Sequence, residues 1–463
     1  MNKLLVIGLD CAAPSIMFDK LADQLPNISK MREDGVWGKL RSCDPPITVP
    51  AWMVMATGRT PGELGLYGFR SREGNSYNKI KIPTSRDIKY DTIWDIIGKR
   101  NKRSIVIAVP PSYPPRPITG ILVTDFLTPG KDKEFTYPPG LKNDILAKYP
   151  DYEFDVKFRK PEKEKIIDEI YKMTETRFRM ALDFMRNKPW DLFFFVEIGI
   201  DRIHHAFWRY IDEKHHLYEN NPLMREKFVN YFKMVDRYVG EMVEQVDEDT
   251  LVMIVSDHGA KGMKGAFAIN EWLIKEGYLK LKSNSIKPGS SLDEVEVDWE
   301  NTKAWAWGGY YARVFLNIKG REEKGVIDPQ DVRKEIEILK EKLKSIKGPN
   351  GEAWDTKVFE PEEKYDVVNG DRSDLFVYFD DLNWRAAGTL GYETMYLLEN
   401  DTGPDDAVHD YDGIYVLYRK GKKVGKIFNE TIYNVMPTML DVFSVRKITG
   451  LKGKVMEGMR YVK

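Results

Sequence analysis

Histidine is scarce in this chain, six in 463 residues, and its placement is not scattered. His204 and His205 follow Asp201 just after the apolar run DLFFFVEIGI, His258 sits in SDHG directly after LVMIV, and His409 precedes DGIYVLY. Asp10 closes the first apolar run in the same manner as Asp201 and Asp257 close theirs. Open α/β sheets bind ligands outside the carboxyl ends of their strands, where these three acids stand. Three carboxylates (Asp10, Asp201, Asp257) and three imidazoles (His205, His258, His409) on one rim form a ligand set suited to two divalent cations, zinc first and manganese second. Asp201 and His205 are spaced i, i+4, which on a helical turn aims both at one ion. Taken singly, a strand-end Asp is ordinarily a turn residue and a lone His a hydrogen-bonded interior or surface group. Acid plus His at several strand ends has no structural motive, and burying the carboxylates together without cations is costly. His204 points away from the Asp201/His205 face and is left as such an ordinary histidine. His215 and His216, in the charged stretch EKHH, read as solvated.

A second signal is Pro45-Pro46-Ile47-Thr48-Val49-Pro50-Ala51-Trp52. The prolines hold the chain extended before a helix expected to start at Pro50, with Thr48 or Val49 at its mouth. A hydroxyl there faces the positive end of the helix dipole. A neighbouring cation would ease its ionisation to a nucleophilic alkoxide. Without a cation Thr48 would be a simple cap. With the ligand set present, the nucleophile is the stronger reading.

The elements that must position these groups can be read from apolar patterning. Short runs at Leu4–Leu9, Ser104–Val109, Ile121–Val123, Asp191–Val196 and Leu251–Val255 read as buried strands. They alternate with helical patterns at Thr92–Lys99, Lys163–Arg186, Pro222–Val246 and Ile269–Gly277. This predicts an α/β fold, a mostly parallel central sheet with helices on both faces. From about residue 281 the texture becomes polar, followed by a hairpin around Trp305–Ile318 and a charged helix, Asp328–Ile346. The division expected is a core of residues 1–280 and 373–463, with 281–372 inserted as a smaller α+β cap and the chain returning to the main sheet near Asp374–Phe379. The closing segment supplies a strand at Gly413–Tyr418 and a helix near Ile432–Val442.

Composition sets the outer limits. The length calls for one large domain with an insertion, or two to three of roughly 150 residues. With 42% hydrophobic and 31% charged residues, and Lys+Arg 71 against Asp+Glu 72, neither disorder nor a nucleic-acid-binding field is the default. The leading apolar run is too short for a signal segment or a membrane span, and no later run reaches about 18 residues. The two cysteines, Cys11 and Cys43, allow at most one bridge, so a cytoplasmic protein with reduced thiols is expected. Only three glutamines amid abundant Lys and Glu is a bias associated with thermophiles.

Several motifs together resemble the type I phosphodiesterase/nucleotide pyrophosphatase family of the alkaline phosphatase superfamily, especially its archaeal and bacterial cytosolic members. They are GLD at 8–10, PPITVPAW and ATGRTPGELGLYGF within 45–69, VPPSYPPRPITGILVTDFLTP at 109–129, DRIHH at 201–205 and SDHG at 256–259. INEWLIKEGYL at 269–279, RSDLFVYF at 372–379, HDYDGIY at 409–415 and MPTML at 436–440 complete the set. The resemblance implies one metal held by Asp201, His205 and His409, and another by Asp10, Asp257 and His258 together with Thr48. It implies hydrolysis of phosphodiester or phosphoanhydride bonds through a covalent phosphothreonine. The substrates would be small phosphorylated compounds, nucleotides among them, with no stable nucleic-acid complex and no membrane partner.

This chain departs from the family in places. Cys11 stands where the family commonly has Gly, as a packing group or a ligand, and Leu64-Gly65 replaces a frequent His-Gly. The family's phosphate-binding asparagine is missing, and Arg70 or Arg72 could substitute for it with a bidentate fork. Thr instead of Ser at position 48 argues against phosphoglycerate mutases and classical alkaline phosphatases. Cys43-Asp44-Pro45-Pro46-Ile47 lacks the Arg of a sulfatase signature. A phospho-group transferase, a phosphomonoesterase or a catalytically silent binding protein on the same scaffold are the alternatives.

Overall fold

The computed structural model describes residues 3–283, 286–446 and 448–463. Its centre is a ten-stranded sheet. From one edge the order runs Lys426–Ile427, Val36–Arg41, Asp412–Tyr418, Thr250–Val255, Lys3–Leu9, Leu192–Glu197, Ser104–Ile107, Gly120–Val123 and Thr136–Tyr137, with Glu430–Thr431 beside Val36–Arg41. Lys3–Leu9 pairs in parallel with both Leu192–Glu197 and Thr250–Val255, while Asp412–Tyr418 runs antiparallel to Thr250–Val255. The sheet is mostly parallel and helices cover both faces, so its central strands are apolar on both sides. In Lys3–Leu9, Leu5, Ile7 and Leu9 enter one core while Leu4 and Val6 enter the other.

Register does the positioning. Leu9 lies opposite Glu197 and Gly8 opposite Val255, so the chain leaves three parallel strands at one rim. Because Asp412–Tyr418 is antiparallel, its start lies at that rim, and His409 is carried there by the preceding strand Ala407–Asp410, paired with Gly259–Gly262. Gly8 is required by packing: a Cβ there would sit 2.5 Å from the Trp52 ring, which lies across the strand.

The segment read as inserted contains Ala304–Trp307, Ala312–Leu316, Lys357–Phe359 and the helix Val332–Lys344. Leu375–Tyr378, expected to return to the main sheet, instead pairs with Ala312–Leu316 and Lys357–Phe359 in a separate four-stranded sheet. All four of its residues are buried, so its apolar run looks the same as that of a central-sheet strand. The chain rejoins the ten-stranded sheet only at Asp412. Among the described residues, no helix is long and apolar enough to cross a membrane.

Candidate active site

The helix carrying Thr48 runs Thr48–Thr57, two residues earlier than the proline pattern indicates. Ile47 is extended and acts as the N-cap, which makes Thr48 the first helical residue. The Thr48 side chain makes no capping bond. Its Oγ1 lies 3.2 Å from His258 Nε2. Every residue of this helix is buried, and Trp52, one turn on, donates its indole N–H to Asp10 Oδ2 at 2.8 Å.

The six expected ligands are all buried and come together in one cluster, in which His258 neighbours this hydroxyl. Asp201 Oδ1 is 3.2 Å from His205 Nε2 and 3.6 Å from His409 Nε2. His258 Nε2 is 3.0 Å from Asp257 Oδ2 and 3.9 Å from Asp10 Oδ1. Asp10/Asp257/His258, Asp201/His258/His409 and Cys11/Asp201/His205 each present ligand atoms within 4.8 Å of one another.

The orientation of the imidazoles is informative. His205 Nδ1 meets Asp405 Oδ1 at 2.7 Å, His258 Nδ1 the Gly259 carbonyl at 3.1 Å, and His409 Nδ1 the Pro46 carbonyl at 2.9 Å. These oxygens only accept, so in its neutral form each ring carries its proton on Nδ1 and turns an Nε2 lone pair toward the carboxylates. Among the described residues, Asp10 Oδ1, Asp201 Oδ1, Asp257 Oδ2 and His409 Nε2 are buried without a hydrogen-bond partner. Acceptor groups converging from several segments form a donor set of the kind that divalent cations take.

Electrostatics agree. Burial, then Asp257 and Asp201, push the Asp10 carboxyl well up. At Asp201 burial is outweighed by His205 and Arg202, and its pKa falls well below the usual range. Burial opposes protonation of His258, yet Asp257 and Asp10 raise it to about 9. Protons and cations therefore compete for the same nitrogens.

His204 is the control within the same helix. Its Nδ1 meets the Cys11 carbonyl at 3.1 Å, but the ring packs among Trp208, Phe228 and Phe232. Burial, then His205, push its pKa down to about 3, so it is a neutral interior group. His215, read as solvated, is in fact buried and bonded to the Asp406 carbonyl at 2.9 Å, whereas His216 is exposed. Cys11 has φ 61, the left-handed region in which glycine is unstrained, which accounts for the glycine expected there. Burial and then Asp201 push its thiol pKa well up, which disfavours the thiolate a metal would need.

Of the two candidate arginines, Arg72 is buried in ion pairs with Glu322 (3.1 Å) and Asp371 (2.9 Å), whereas Arg70 lines a cavity of about 580 Å³ beside the cluster. Three further side chains complete the surroundings of the cluster. Asp405 orients His205 and is itself held by Arg159 (3.0 Å) and Arg385 (2.8 Å). Arg202 bonds Asp201 directly, next to it in sequence. Tyr310 stacks on His409 with centroids 3.6 Å apart, its hydroxyl 3.1 Å from His205 Nε2. The loop bearing Tyr310 is pinned where Gly309 and Ala386 exchange backbone hydrogen bonds of 2.8 and 3.0 Å.

Similarity to known proteins follows the same lines. The solved phosphonoacetate hydrolase of Sinorhizobium meliloti 1021, in complex with phosphonoformate, superposes with a TM-score of 0.61 over 96% of both chains at 14% identity, a likeness of fold. GPI ethanolamine phosphate transferase 3 of Schizosaccharomyces pombe is 28% identical over 129 residues, 26% of this chain and 12% of that protein, so the match spans about an eighth of the relative's length. The type I phosphodiesterase / nucleotide pyrophosphatase family matches residues 4–412. The chain therefore belongs to the type I phosphodiesterase / nucleotide pyrophosphatase family.

Proposed function

We propose that this chain hydrolyses phosphodiester or phosphoanhydride bonds, nucleotide-type compounds being the first candidates, with two divalent cations and Thr48 as nucleophile. The observation that carries the reading is the Thr48 hydroxyl, on the first residue of a buried helix, 3.2 Å from Nε2 of His258, which itself lies 3.0 Å from Asp257 Oδ2 and 3.9 Å from Asp10 Oδ1. Asp201, His205 and His409 would hold one cation; Asp10, Asp257, His258 and Thr48 the other. Zinc suits this oxygen and imidazole set best, manganese next. Bound there, the cations would supply Lewis acidity, easing loss of the threonine proton and neutralising charge on the phosphoryl oxygens.

The protein's own groups do the rest. The N-terminus of the helix Thr48–Thr57 favours negative charge on Oγ1, and its fully buried body fixes the oxygen for in-line attack. A Thr48 O–P bond forms as the P–O bond to one ester or anhydride arm breaks, and that arm departs with a proton from solvent. Water then attacks phosphorus, the Thr48 O–P bond breaks, and the hydroxyl recovers its proton. A transferase reading draws on the local match to the phosphate transferase, and would replace that water with an alcohol.

The test is a substrate panel on the full chain, stripped by chelation and reloaded with zinc or manganese. Cation-dependent turnover is expected, with diesters and pyrophosphates ahead of monoesters and hydrolysis ahead of transfer to added alcohol. Full activity after exhaustive chelation would refute the metal role. Monoesters ahead by tenfold in kcat/KM, about 1.4 kcal/mol of transition-state preference, would refute the diester reading.

A further inference from the structure

The cavity beside the cluster is lined by five arginines, Arg70, Arg159, Arg202, Arg313 and Arg385, against three aspartates. Two of the arginines are committed within the protein. Arg202 forks onto Asp155 at 2.6 and 2.9 Å and bonds Asp201, while Arg313 donates to the carbonyls of Arg70 (2.6 Å) and Asp371 (3.1 Å). Asp401 is likewise satisfied, by the Gly388 and Thr389 amides at 3.0 and 3.3 Å. The remaining three arginines have one carboxylate between two of them and none for the third. Arg159 and Arg385 converge on one oxygen of Asp405, whose other oxygen serves His205. Among the described residues, Arg385 Nε, like Arg313 Nε, is buried without a hydrogen-bond partner. The Arg70 guanidinium makes a single hydrogen bond among the described residues, to the Gly308 carbonyl at 3.1 Å.

This positive excess lies close to the reaction centre. The Tyr310 hydroxyl is 3.2 Å from Arg159 Nη2 and 3.1 Å from His205 Nε2, so one hydroxyl separates the guanidinium from the ligand cluster. An anion in a partly desolvated cavity gains most from planar donors left without a carboxylate each. Burial, and then Arg313, lower the Arg70 pKa, a cost that a bound anion would offset. We propose that the substrate carries, beyond its reacting phosphorus, a second anionic group, phosphate or carboxylate, held by Arg70, Arg159 and Arg385. The inference rests on the phosphodiesterase reading of the same site.

The test uses the full chain loaded with zinc and three diesters identical except at the end of one ester arm, a hydroxyl, a carboxylate or a phosphate. Wild-type kcat/KM should favour a charged arm over the neutral one by at least tenfold, the preferred arm telling phosphate from carboxylate. Added salt should shrink that ratio, Arg70→Gln should cut it at least fivefold, and Arg70→Lys should fall between. Calorimetric binding to Thr48→Ala gives a readout without turnover, in which a charged arm should bind at least tenfold tighter. Equal binding of neutral and charged arms, or a preference untouched by Arg70→Gln, would overturn the inference. If none of the diesters is hydrolysed, the phosphodiesterase reading fails by itself, and the binding ratio still decides whether the cavity selects an anion.

Discussion

Two neighbouring regions meet at Tyr310 and are built by different rules. In the ligand cluster, Asp10 and Asp257 leave parallel strands whose register is fixed by a sheet buried on both faces, and Asp201 lies in the first turn of a helix that begins just beyond a third. Each imidazole there has its Nδ1 locked by an oxygen of the protein. In the cavity, Arg70 and Arg159 come from irregular segments and Arg385 from a three-residue strand. Five arginines line the cavity against three aspartates, and two of the three named here share a single Asp405 oxygen. A centre for ions of fixed geometry needs rigid donors, whereas charge and shape suffice to select an arm of the substrate.

Removing a rigid donor should therefore do the greater damage. His409→Ala takes one of two nitrogens facing Asp201 Oδ1 and should lose about one of two bound cations per chain by elemental analysis, with turnover down roughly a hundredfold or more. Two cations retained at full occupancy would contradict the assignment. Next is Asp405→Asn, which keeps the shape but removes the charge that fixes the His205 tautomer and holds Arg159 and Arg385. Competition with a chelator should show cation affinity about 10- to 100-fold weaker. Unchanged affinity would mean that Asp405 serves only to pack the two arginines.

A pH effect should come from outside both regions. Burial, then His216, hold His215 down to about 4, against about 6.5 in an unfolded chain. Below pH 6.5 the unfolded chain takes a proton that the folded one refuses, so this contribution is complete above pH 6.5 and is lost as pH falls toward 4. His215→Phe should flatten the fall in denaturant stability over that window by about 1–3 kcal/mol. An unchanged slope would show that His215 protonates in place. The smallest effect is expected at Cys11, where φ 61 suits glycine and burial disfavours the thiolate: Cys11→Gly should keep both cations and turnover within about twofold. Loss of one cation would make the thiol a ligand after all.

The same contrast explains what could be read from the sequence. Asp10, Asp257, His258 and His409 were legible because a strand end fixes where a side chain emerges before anything else about the fold is known. Thr48 was legible as a hydroxyl at a helix mouth, though the helix begins at Thr48 itself because the extended Ile47, not a side-chain oxygen, ends the preceding chain. Asp405 was not legible. It sits beside Asp406 in TGPDDAVHD, and only the path of the loop gives Asp405 to His205 and Asp406 to Arg209. Leu375–Tyr378 was misplaced because burial on both faces erases the alternation that separates one sheet from another. His215 looked solvated among charged neighbours, yet a tertiary contact with Asp406 buries it.

The most direct test of the account is the fate of phosphorus during turnover. Cation-loaded enzyme mixed with labelled diester, quenched in acid and digested, should yield label on the peptide bearing Thr48. Thr48→Ala should keep the fold and at least one cation, give no labelled peptide and turn over about a thousandfold or more slowly. Overall retention of configuration at phosphorus should accompany the label, since two in-line displacements restore it. Inversion at phosphorus, or wild-type turnover by Thr48→Ala, would show that water attacks directly and that the Thr48 hydroxyl is only a structural neighbour of His258.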